Sequence, residues 1–366
     1  MKRVAVVGAG HIGSTISALL AGSGDYELSV IDRDQAALSG VEAADRVSKT
    51  EVDVTKPGAL RDALTGAYAV INAAPYQLTT RIAEAAIEAG VHYLDLTEDV
   101  ESTQKVENLA KGAQKALIPQ CGLAPGFVSI VAHDLVGRFD QALDVHLRVG
   151  ALPQYPSNAL GYNLTWSTDG LIHEYCEPCE AIVEGKRRLT TPLQELELLA
   201  IDGVAYEAFN TSGGLGTLCR TLDGKVRNLN YRTMRYPGHA ALMKAMLNDL
   251  RLRDRPQLLK EIFEGALAQT EQDVVVIFVT VSGRRGGRLM QETYTNKVYA
   301  QQIDAKTDGK TYSAIQLTTA GSVCAILDML AQGQLPASGF VRLEQVPLAA
   351  FLQNRFGRYY NRTLMV

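Results

Sequence analysis

The stretch VAVVGAGHIG, from Val4 to Gly13, decides the fold of this chain. It opens with a short apolar run typical of a buried parallel strand, and a helical pattern of apolar residues follows almost at once. Gly8 permits a tight turn, Gly10 lets a pyrophosphate approach the backbone, and Gly13 lets helix and strand pack closely. The spacing therefore predicts that a dinucleotide binds at this turn, with the helix N-terminus facing its phosphates. The residues predicted to line this turn are Gly8, Gly10, His11, Ile12 and Gly13.

A second strand-like run, residues 27–31, ends at Asp32, roughly 20 residues beyond the glycines, as the dinucleotide fingerprint requires. A carboxylate at this position can accept both ribose hydroxyls of NAD and would repel the 2′-phosphate of NADP. The sequence therefore favours NAD as the cofactor. The adjacent Arg33 leaves NADP open as the alternative.

The bulk properties are those of an enzyme-sized globular chain. Its 366 residues allow two domains, and a net charge of −4 gives no basic face, so nucleic acid is not an expected partner. The apolar opening is short and broken by glycine, which favours a strand over a signal peptide, and no run approaches the length of a membrane span. We expect no membrane partner.

The cysteine pattern predicts reduced thiols and a cytoplasmic location, because five cysteines are an odd number in a chain without a secretion signal. Cys176 and Cys179 form the one Cys-x-x-Cys pair. Zinc would require a second pair or several histidines nearby, and only His173 is close in sequence, so no metal site is predicted.

Between Asp32 and Cys121 strand-like and helix-like segments alternate, which predicts a Rossmann-type doubly wound parallel sheet. Strands are predicted over 51–55, 67–73, 91–96 and 116–121, and a helix over 79–89. Asp53 and Val54, in the third strand, are expected at the adenine edge. The exit of the fourth strand offers small residues where a nicotinamide ribose must approach the backbone, namely Asn72, Ala73, Ala74 and Pro75.

Ligands of such sheets collect beyond the carboxyl ends of the strands, which points to Tyr76, Thr97, Glu98 and Cys121. The alternative for Glu98 and its neighbour Asp99 is that they only cap the helix that follows.

After residue 126 the pattern changes to alternating segments that predict a second, α+β domain with a mixed or antiparallel sheet. Strands are expected over 145–151, 162–166, 273–282 and 289–299, with a hairpin turn at 283–287. A long amphipathic helix over 315–330 is expected to return the chain to the first domain. The predicted division is a NAD-binding Rossmann domain, 1–123 and 315–366, and a substrate-binding and dimerisation domain, 124–314.

Several separated motifs of this chain are more specific than the glycine fingerprint: GLAPG at 122–126, WSTDGL at 166–171, TSGGLGT at 211–217 and RYPGH at 235–239. With the opening fingerprint, they resemble the saccharopine dehydrogenase family, and within it the lysine 6-dehydrogenases most. The resemblance implies oxidative deamination of the ε-amine of L-lysine by NAD to allysine, which closes to 1-piperideine-6-carboxylate, with release of ammonia. It also implies a homodimer or a multiple of one.

Two other functions stay open. Glutamate-forming saccharopine reductases usually carry Gly-Leu-Asp-Pro-Gly where this chain has Ala124, which counts against saccharopine, but saccharopine dehydrogenase or a related imine oxidoreductase remains the alternative within the family. The alternative from another class is a non-catalytic nucleotide-binding protein. Such a protein would not need the substrate-binding residues predicted next.

A lysine zwitterion needs a cation or N–H donors for its carboxylate, an anion for its α-amino group and an apolar wall for its methylenes. Arg235 can hold a carboxylate with a bidentate fork, and Thr211, Ser212 and Gly213 can offer an anion nest. Trp166 can supply the wall, although it is as easily read as a core aromatic residue.

Hydride can leave the ε-carbon only when the adjacent nitrogen is neutral, so the site needs a base or must lower the amine pKa. Glu98 and Asp169 are the favoured catalytic candidates, because burial would raise the pKa of a carboxylate towards the working range. His239 is expected to orient the substrate or exchange protons, with a structural role at a helix start as the alternative.

Overall fold

The computed structural model describes residues 1–42, 45–302 and 310–361. The last part of the predicted 315–366 segment, residues 362–366, lies outside the described residues. The strands are β1 Lys2–Val7, β2 Tyr26–Asp32, β3 Val47–Glu51, β4 Ala69–Asn72, β5 His92–Asp95, β6 Ala116–Ile118, β7 Gln141–Pro153, β8 Cys179–Val183, β9 Lys186–Thr190, β10 Glu197–Ile201, β11 Val204–Asn210, β12 Asn228–Arg235, β13 Asp273–Arg285, β14 Arg288–Tyr299, β15 Gln301–Gln302, β16 Thr311–Tyr312 and β17 Gly339–Phe340.

The helices begin and end as follows: α1 His11–Ser23, α2 Gln35–Gly40, α3 Ala59–Leu64, α4 Thr79–Ala89, α5 Val100–Leu109, α6 Phe127–Val136, α7 Thr168–Cys176, α8 Leu218–Thr221, α9 His239–Lys244, α10 Pro256–Ala266, α11 Ala314–Ala331 and α12 Leu348–Gln353. The chain forms two compact units, Met1–Ile130 with Gln316–Asn361, and Val131–Ile315. The boundaries between them fall within α6 and near the start of α11.

The first unit is built on a parallel sheet with the strand order β17-β6-β5-β4-β1-β2-β3. Because β4 lies beside β1 on one side and β2 lies beside it on the other, the strand order reverses at β1. Ligands of such sheets bind at this reversal, so the exits of β1 and β4 are the positions to inspect. The predicted Rossmann-type fold is confirmed.

Apolar side chains are buried on both faces of this sheet, which explains why its inner strands are largely apolar. One core cluster joins the sheet to α3, α4 and α5, and α4 contributes the predicted apolar face through Ile82, Ala83 and Ala86. A smaller cluster, which includes Val30 and Leu38, covers the opposite face at α2.

Two predictions for the first unit are wrong. The third strand is Val47–Glu51, not 51–55, because it is an edge strand whose side chains are mostly exposed and polar. The predicted amphipathic helix, α11, is buried almost all round.

Helix α11 also corrects the expectation that no apolar run could span a membrane. It has 18 residues with a mean hydropathy of 1.5, which suffices by length and composition alone. However, 78% of it is buried inside the protein, as in the core helix of a folded domain.

The second unit contains a mixed sheet with the order β10-β11-β12-β7-β13-β14, and β8 with β9 extends from β12. Strands β7 and β12 are parallel, whereas the other pairs are antiparallel. The predicted α+β domain with a mixed sheet is therefore confirmed.

Two details of the second unit differ from prediction. Residues 162–166 form no strand, because they pack Tyr162 and Leu164 into a helical core and make a single bridge, from Leu164 to Gln269. The β13–β14 turn consists of Gly286 and Gly287 rather than 283–287, with positive φ at both, as a tight hairpin requires.

Candidate functional site

The glycine turn after β1 has the geometry that a diphosphate needs. Gly8 has φ of 104°, and a Cβ on it would lie 2.6 Å from the carbonyl oxygen of Ala73. A Cβ on Gly13 would lie 1.9 Å from the carbonyl oxygen of Gly8, whereas one on Gly10 would meet nothing within 4 Å. The fold thus requires glycine at positions 8 and 13, whereas Gly10 borders open space.

Helix α1 begins beside this space without a side-chain cap. Gly10 is its N-cap, and the first turn carries no acidic residue that would compete with an anion. His11 is exposed and Ile12 is half-buried. The residues present therefore fit the phosphates of a dinucleotide, which the backbone N–H groups and the helix dipole would hold.

Asp32 lies at the end of β2 and contacts the same turn. Its Oδ2 accepts a hydrogen bond from the Ala9 amide at 2.8 Å, and its Oδ1 accepts one from the Asp34 amide at 3.0 Å. A carboxylate has about four acceptor positions, so two remain for ribose hydroxyls. The next residue, Arg33, is exposed.

Asp53 and Val54 follow β3 instead of belonging to it. Asp53 accepts hydrogen bonds from the amide and the hydroxyl of Thr55, which lower the pKa of Asp53. Val54 is buried in the core cluster of the sheet.

The loop after β4 lies next to the glycine turn, because β4 and β1 are neighbours. Asn72 is buried, and its Oδ1 accepts a hydrogen bond from the Ala74 amide at 3.0 Å. Ala73 and Ala74 are half-buried, Pro75 is exposed, and the half-buried Tyr76 begins a 3₁₀ turn.

The exits of β5 and β6 place the remaining predicted residues of the first unit. Asp99 is the N-cap of α5 and accepts a hydrogen bond from the Ser102 amide, so it has the capping role. Glu98 is half-buried just before it. Cys121 is fully buried, and its thiol donates a hydrogen bond to the Ile118 carbonyl oxygen. Burial raises the pKa of this thiol.

In the second unit, Arg235 ends β12 and is only 2% exposed. Its Nε donates to the Tyr175 hydroxyl at 2.9 Å, its Nη1 to the Met234 carbonyl at 2.9 Å, and its Nη2 to Oε1 of Glu174 at 3.3 Å. The guanidinium carbon lies 5.1 Å from the ring centroid of Tyr162 and 5.8 Å from that of Tyr175. Arg235 is thus a buried cation held by aromatic faces and one carboxylate.

His239, the first residue of α9, completes this cluster. Its Nε2 lies 3.0 Å from the Tyr175 hydroxyl and its Nδ1 2.8 Å from the Leu160 carbonyl oxygen. Burial, with the charge of Arg235, lowers the pKa of His239 to about 3, so the ring is neutral near pH 7. This environment suits an orienting role and does not suit proton exchange with a substrate.

Some of the polar groups of the predicted anion nest at Thr211–Gly213 already form hydrogen bonds within the protein. The Thr211 hydroxyl bonds to that of Thr233 at 2.7 Å, and the Ser212 amide donates to the Glu174 carbonyl. The buried Ser212 hydroxyl has no hydrogen-bond partner among the described residues. Gly213 has a positive φ of 84°, which shapes the loop.

Asp169 and Trp166 lie outside this buried cluster. Asp169, in the first turn of α7, has a side chain that is 61% exposed and forms an ion pair with Lys260 at 2.6 Å. Trp166 is half-buried and packs against the apolar core that contains Tyr162 and Tyr175, so its packing role is real.

Sequence reasoning missed three buried residues that organise these sites. Glu174 and Tyr175 hold Arg235, and the fully buried Asp95 connects strand exits in the first unit. The Glu-Tyr pair beside the WSTDGL motif was an available signal. Asp95 gave none, because an acidic residue ending an apolar strand is ordinarily exposed.

The described ranges contain no group of three or more His, Cys, Asp or Glu side chains placed to hold a metal ion. Cys176 and Cys179 are both free thiols, the first half-buried and the second buried.

The parallel sheet, the glycine turn and Asp32 at the end of β2 define a dinucleotide-binding domain, which is joined to a second, α+β domain. The chain belongs to the saccharopine dehydrogenase family. The family's NADP binding domain matches residues 4–120 and its C-terminal domain matches residues 122–357. The chain thus contains both domains that describe this family, the nucleotide-binding one and the C-terminal one.

Similar proteins agree with this assignment. The mitochondrial alpha-aminoadipic semialdehyde synthases of Mus musculus and Rattus norvegicus are 23% and 22% identical over 195 residues. That segment is 50% of this chain but only 21% of each relative. Apo saccharopine dehydrogenase (L-Glu forming) from Saccharomyces cerevisiae matches 96% of this chain and 97% of its own, with a TM-score of 0.78 and 16% identity, which shows the same fold.

Proposed function

We propose that this protein oxidatively deaminates the ε-amine of L-lysine with NAD. A hydride leaves Cε, a proton is released, and water hydrolyses the resulting imine to allysine and ammonia. Allysine then closes to 1-piperideine-6-carboxylate. Allysine is α-aminoadipic semialdehyde, the compound in the name of the two mammalian relatives, which supports a product of this type.

The observation that carries the proposal is the buried pair of Arg235 and Glu174. A free amino acid presents a carboxylate and an ammonium group on one carbon, and this pair offers a cation and an anion 3.3 Å apart. Three of the five guanidinium N–H groups have partners among the described residues, and the other two are proposed to bind a carboxylate. The pair thus suits the zwitterionic end of lysine and leaves the side-chain amine for reaction.

The Ser212 hydroxyl supports the same placement. It is buried and lacks a hydrogen-bond partner among the residues that the structure describes, although its own amide bonds to Glu174. A buried polar group without a partner costs free energy, which a bound ligand would recover.

Of the two candidate bases, the geometry favours Glu98. The side chain of Asp169 is 61% exposed, so it lacks the burial that a base for an amine needs. Glu98 is half-buried at a strand exit, where ligands of parallel sheets collect. Replacing Glu98 by Gln should therefore reduce kcat far more than replacing Asp169 by Asn.

The bound cofactor would accept the hydride from the substrate. We assign NAD rather than NADP to this role. The negative charge of Asp32 beside the glycine turn supports this choice, although the matching family domain is named for NADP. A cytoplasmic location and assembly into a homodimer or a multiple of one complete the proposal.

The test is spectrophotometric. Purified protein with L-lysine and NAD should produce NADH at alkaline pH, without 2-oxoglutarate. Turnover with saccharopine but not with lysine would show that the substrate is saccharopine. Nucleotide binding without turnover on a panel of amino acids would favour a non-catalytic protein.

Variants of Arg235 and Glu174 test whether this pair binds the substrate. Arg235→Gln combined with Glu174→Gln avoids leaving one buried charge unpaired, and it should raise the KM for lysine by about a hundredfold, since charge-assisted hydrogen bonds are lost. Arg251→Gln, at an arginine whose side chain is 81% exposed, is the matched control and should leave the KM unchanged. An unchanged KM in the double variant would remove this pair from the substrate site.

A further inference from the structure

A fully buried carboxylate, that of Asp95, connects the exits of neighbouring strands in the first unit. Its Oδ1 accepts hydrogen bonds from the amides of Thr97 at 3.0 Å and Gln120 at 2.8 Å, and its carbonyl oxygen accepts one from the Cys121 amide. The segments that follow β5 and β6 are therefore held by one residue.

The same carboxylate reaches the exit of β4 through two side chains. Oδ2 of Asp95 accepts the Tyr93 hydroxyl at 2.8 Å, and the Tyr93 oxygen lies 3.2 Å from Nδ2 of Asn72. Oδ1 of Asn72 accepts the amide of Ala74.

The direction of this chain of hydrogen bonds follows from its ends. An amide N–H can only donate, so the Asn72 oxygen faces Ala74 and the Asn72 nitrogen donates to Tyr93. Tyr93 then donates its proton to Asp95. In this arrangement Asp95 is ionised, because its Oδ2 accepts the Tyr93 hydrogen.

The β4 exit borders the glycine turn, because a Cβ on Gly8 would clash with the Ala73 carbonyl. We propose that Asp95, acting through Tyr93 and Asn72, is a positioning residue that fixes the Ala73–Pro75 loop for the nicotinamide half of the dinucleotide. This inference deepens the proposed function, because it rests on the cofactor lying at this loop.

Because the carboxyl group of Asp95 titrates, nucleotide binding should depend on pH. Burial raises the pKa of Asp95 to about 6, and the titratable groups that act on it are Tyr93 on β5, Glu98 after β5 and Cys121 after β6. A proton on Oδ2 would have to be donated to Tyr93, whose own hydrogen would then turn towards the Thr79 carbonyl at 3.4 Å. Below about pH 6 the hydrogen bond between Tyr93 and Asp95 reverses and Tyr93 turns its hydrogen away from Asp95, so nucleotide binding should weaken.

The experiment is equilibrium binding of NADH to the full chain, which needs no turnover. Asp95→Asn and Tyr93→Phe should each weaken binding about tenfold near pH 7.5, because a buried hydrogen bond that places the loop is lost. The matched control is Tyr26→Phe, since Tyr26 donates a similar buried hydrogen bond, 2.7 Å long, to Asp328 at the opposite end of the sheet. This control should lose stability and bind as the unaltered protein does.

A pH profile separates positioning from general loosening of the fold. The unaltered protein should bind NADH more weakly at about pH 5 than at about pH 7.5, and Asp95→Asn, which cannot titrate, should flatten this step. Normal affinity in Tyr93→Phe, or an undiminished pH step in Asp95→Asn, overturns the inference and leaves the proposed function in place. Failure of the unaltered protein to bind nucleotide overturns both.

Discussion

The Tyr175 hydroxyl lies 3.0 Å from Nε2 of His239, and the opposite ring nitrogen lies 2.8 Å from the Leu160 carbonyl oxygen. Because a carbonyl oxygen only accepts, Nδ1 carries the ring hydrogen and Nε2 accepts from Tyr175. The Tyr175 oxygen in turn accepts from Arg235. His239 thus orients Tyr175 and, through it, Arg235, which we propose binds the substrate carboxylate.

Removing the Tyr175 hydroxyl tests this arrangement. Tyr175→Phe should raise the KM for the amino acid about tenfold, because Nε of Arg235 loses its partner and the guanidinium can rotate. Steady-state kinetics with a separate measurement of nucleotide binding checks it, and nucleotide affinity should not change. Tyr206→Phe, at a buried tyrosine stacked on Tyr236, is the control. Equal KM values in the two variants would argue against the orienting role.

The lowered pKa of His239 predicts how stability depends on pH. The unfolded chain takes up a proton below about pH 6.5, whereas folded His239 does not until about pH 3, so stability from this group is lost as pH falls through that window. The contribution between pH 6.5 and 5 is about 2 kcal/mol. His92, whose pKa burial lowers to about 4, acts in the same direction.

His239→Gln keeps a donor for Leu160 and an acceptor for Tyr175 but cannot titrate. Its free energy of unfolding in urea should therefore fall less between pH 7 and 5 than that of the unaltered chain, and His11→Gln, at an exposed histidine, should not differ. The comparison with the unaltered chain also cancels the opposite effect of Asp95 and Asp273, whose pKa values burial raises to about 6. Parallel pH profiles for His239→Gln and the unaltered chain would contradict the assignment.

Three glycines of the first helical segment should respond differently to alanine. Gly10→Ala should fold but bind nucleotide at least tenfold more weakly, because the methyl group enters the open space at the turn. Gly13→Ala should destabilise the fold, since its Cβ would lie 1.9 Å from the Gly8 carbonyl. Gly22→Ala, exposed in α1, should stabilise by up to about 1 kcal/mol without changing binding. Thermal unfolding and nucleotide titration of the three variants provide the check.

Asp32 should control the choice of cofactor. Asp32→Asn retains an acceptor for the Ala9 amide but removes the charge that would repel a 2′-phosphate, so the ratio of NADP to NAD affinity should rise at least tenfold. Competition binding of the two nucleotides measures it. If the unaltered protein already prefers NADP, the assignment of NAD is wrong.

The local features could be predicted from sequence because neighbours along the chain determine them. The glycine spacing at 8–13 and the helix 79–89 follow from steric limits and apolar periodicity, and both occur as expected. The third strand could not be predicted correctly, because an edge strand needs no apolar pattern. The residues at 51–55 alternate as in a strand and are therefore mistaken for it.

The side-chain partners could not be predicted because they depend on the tertiary fold. The sequence predicts that Arg235 binds a carboxylate, but its partner Glu174 lies 61 residues earlier in the chain. Asp95 and Asn72 are joined only because β4 and β5 are adjacent in the sheet. The sequence leaves two roles open for His239, and burial, which sequence does not reveal, favours orientation over proton exchange.

The most direct test of the central claim is the transfer of deuterium from L-[6,6-²H₂]lysine to NAD, measured by mass spectrometry of the reduced nucleotide. We expect one deuterium in each reduced nucleotide and release of an aldehyde that cyclises. Deuterium transfer from L-[2-²H]lysine instead, or no reduced nucleotide from any form of lysine, would contradict it.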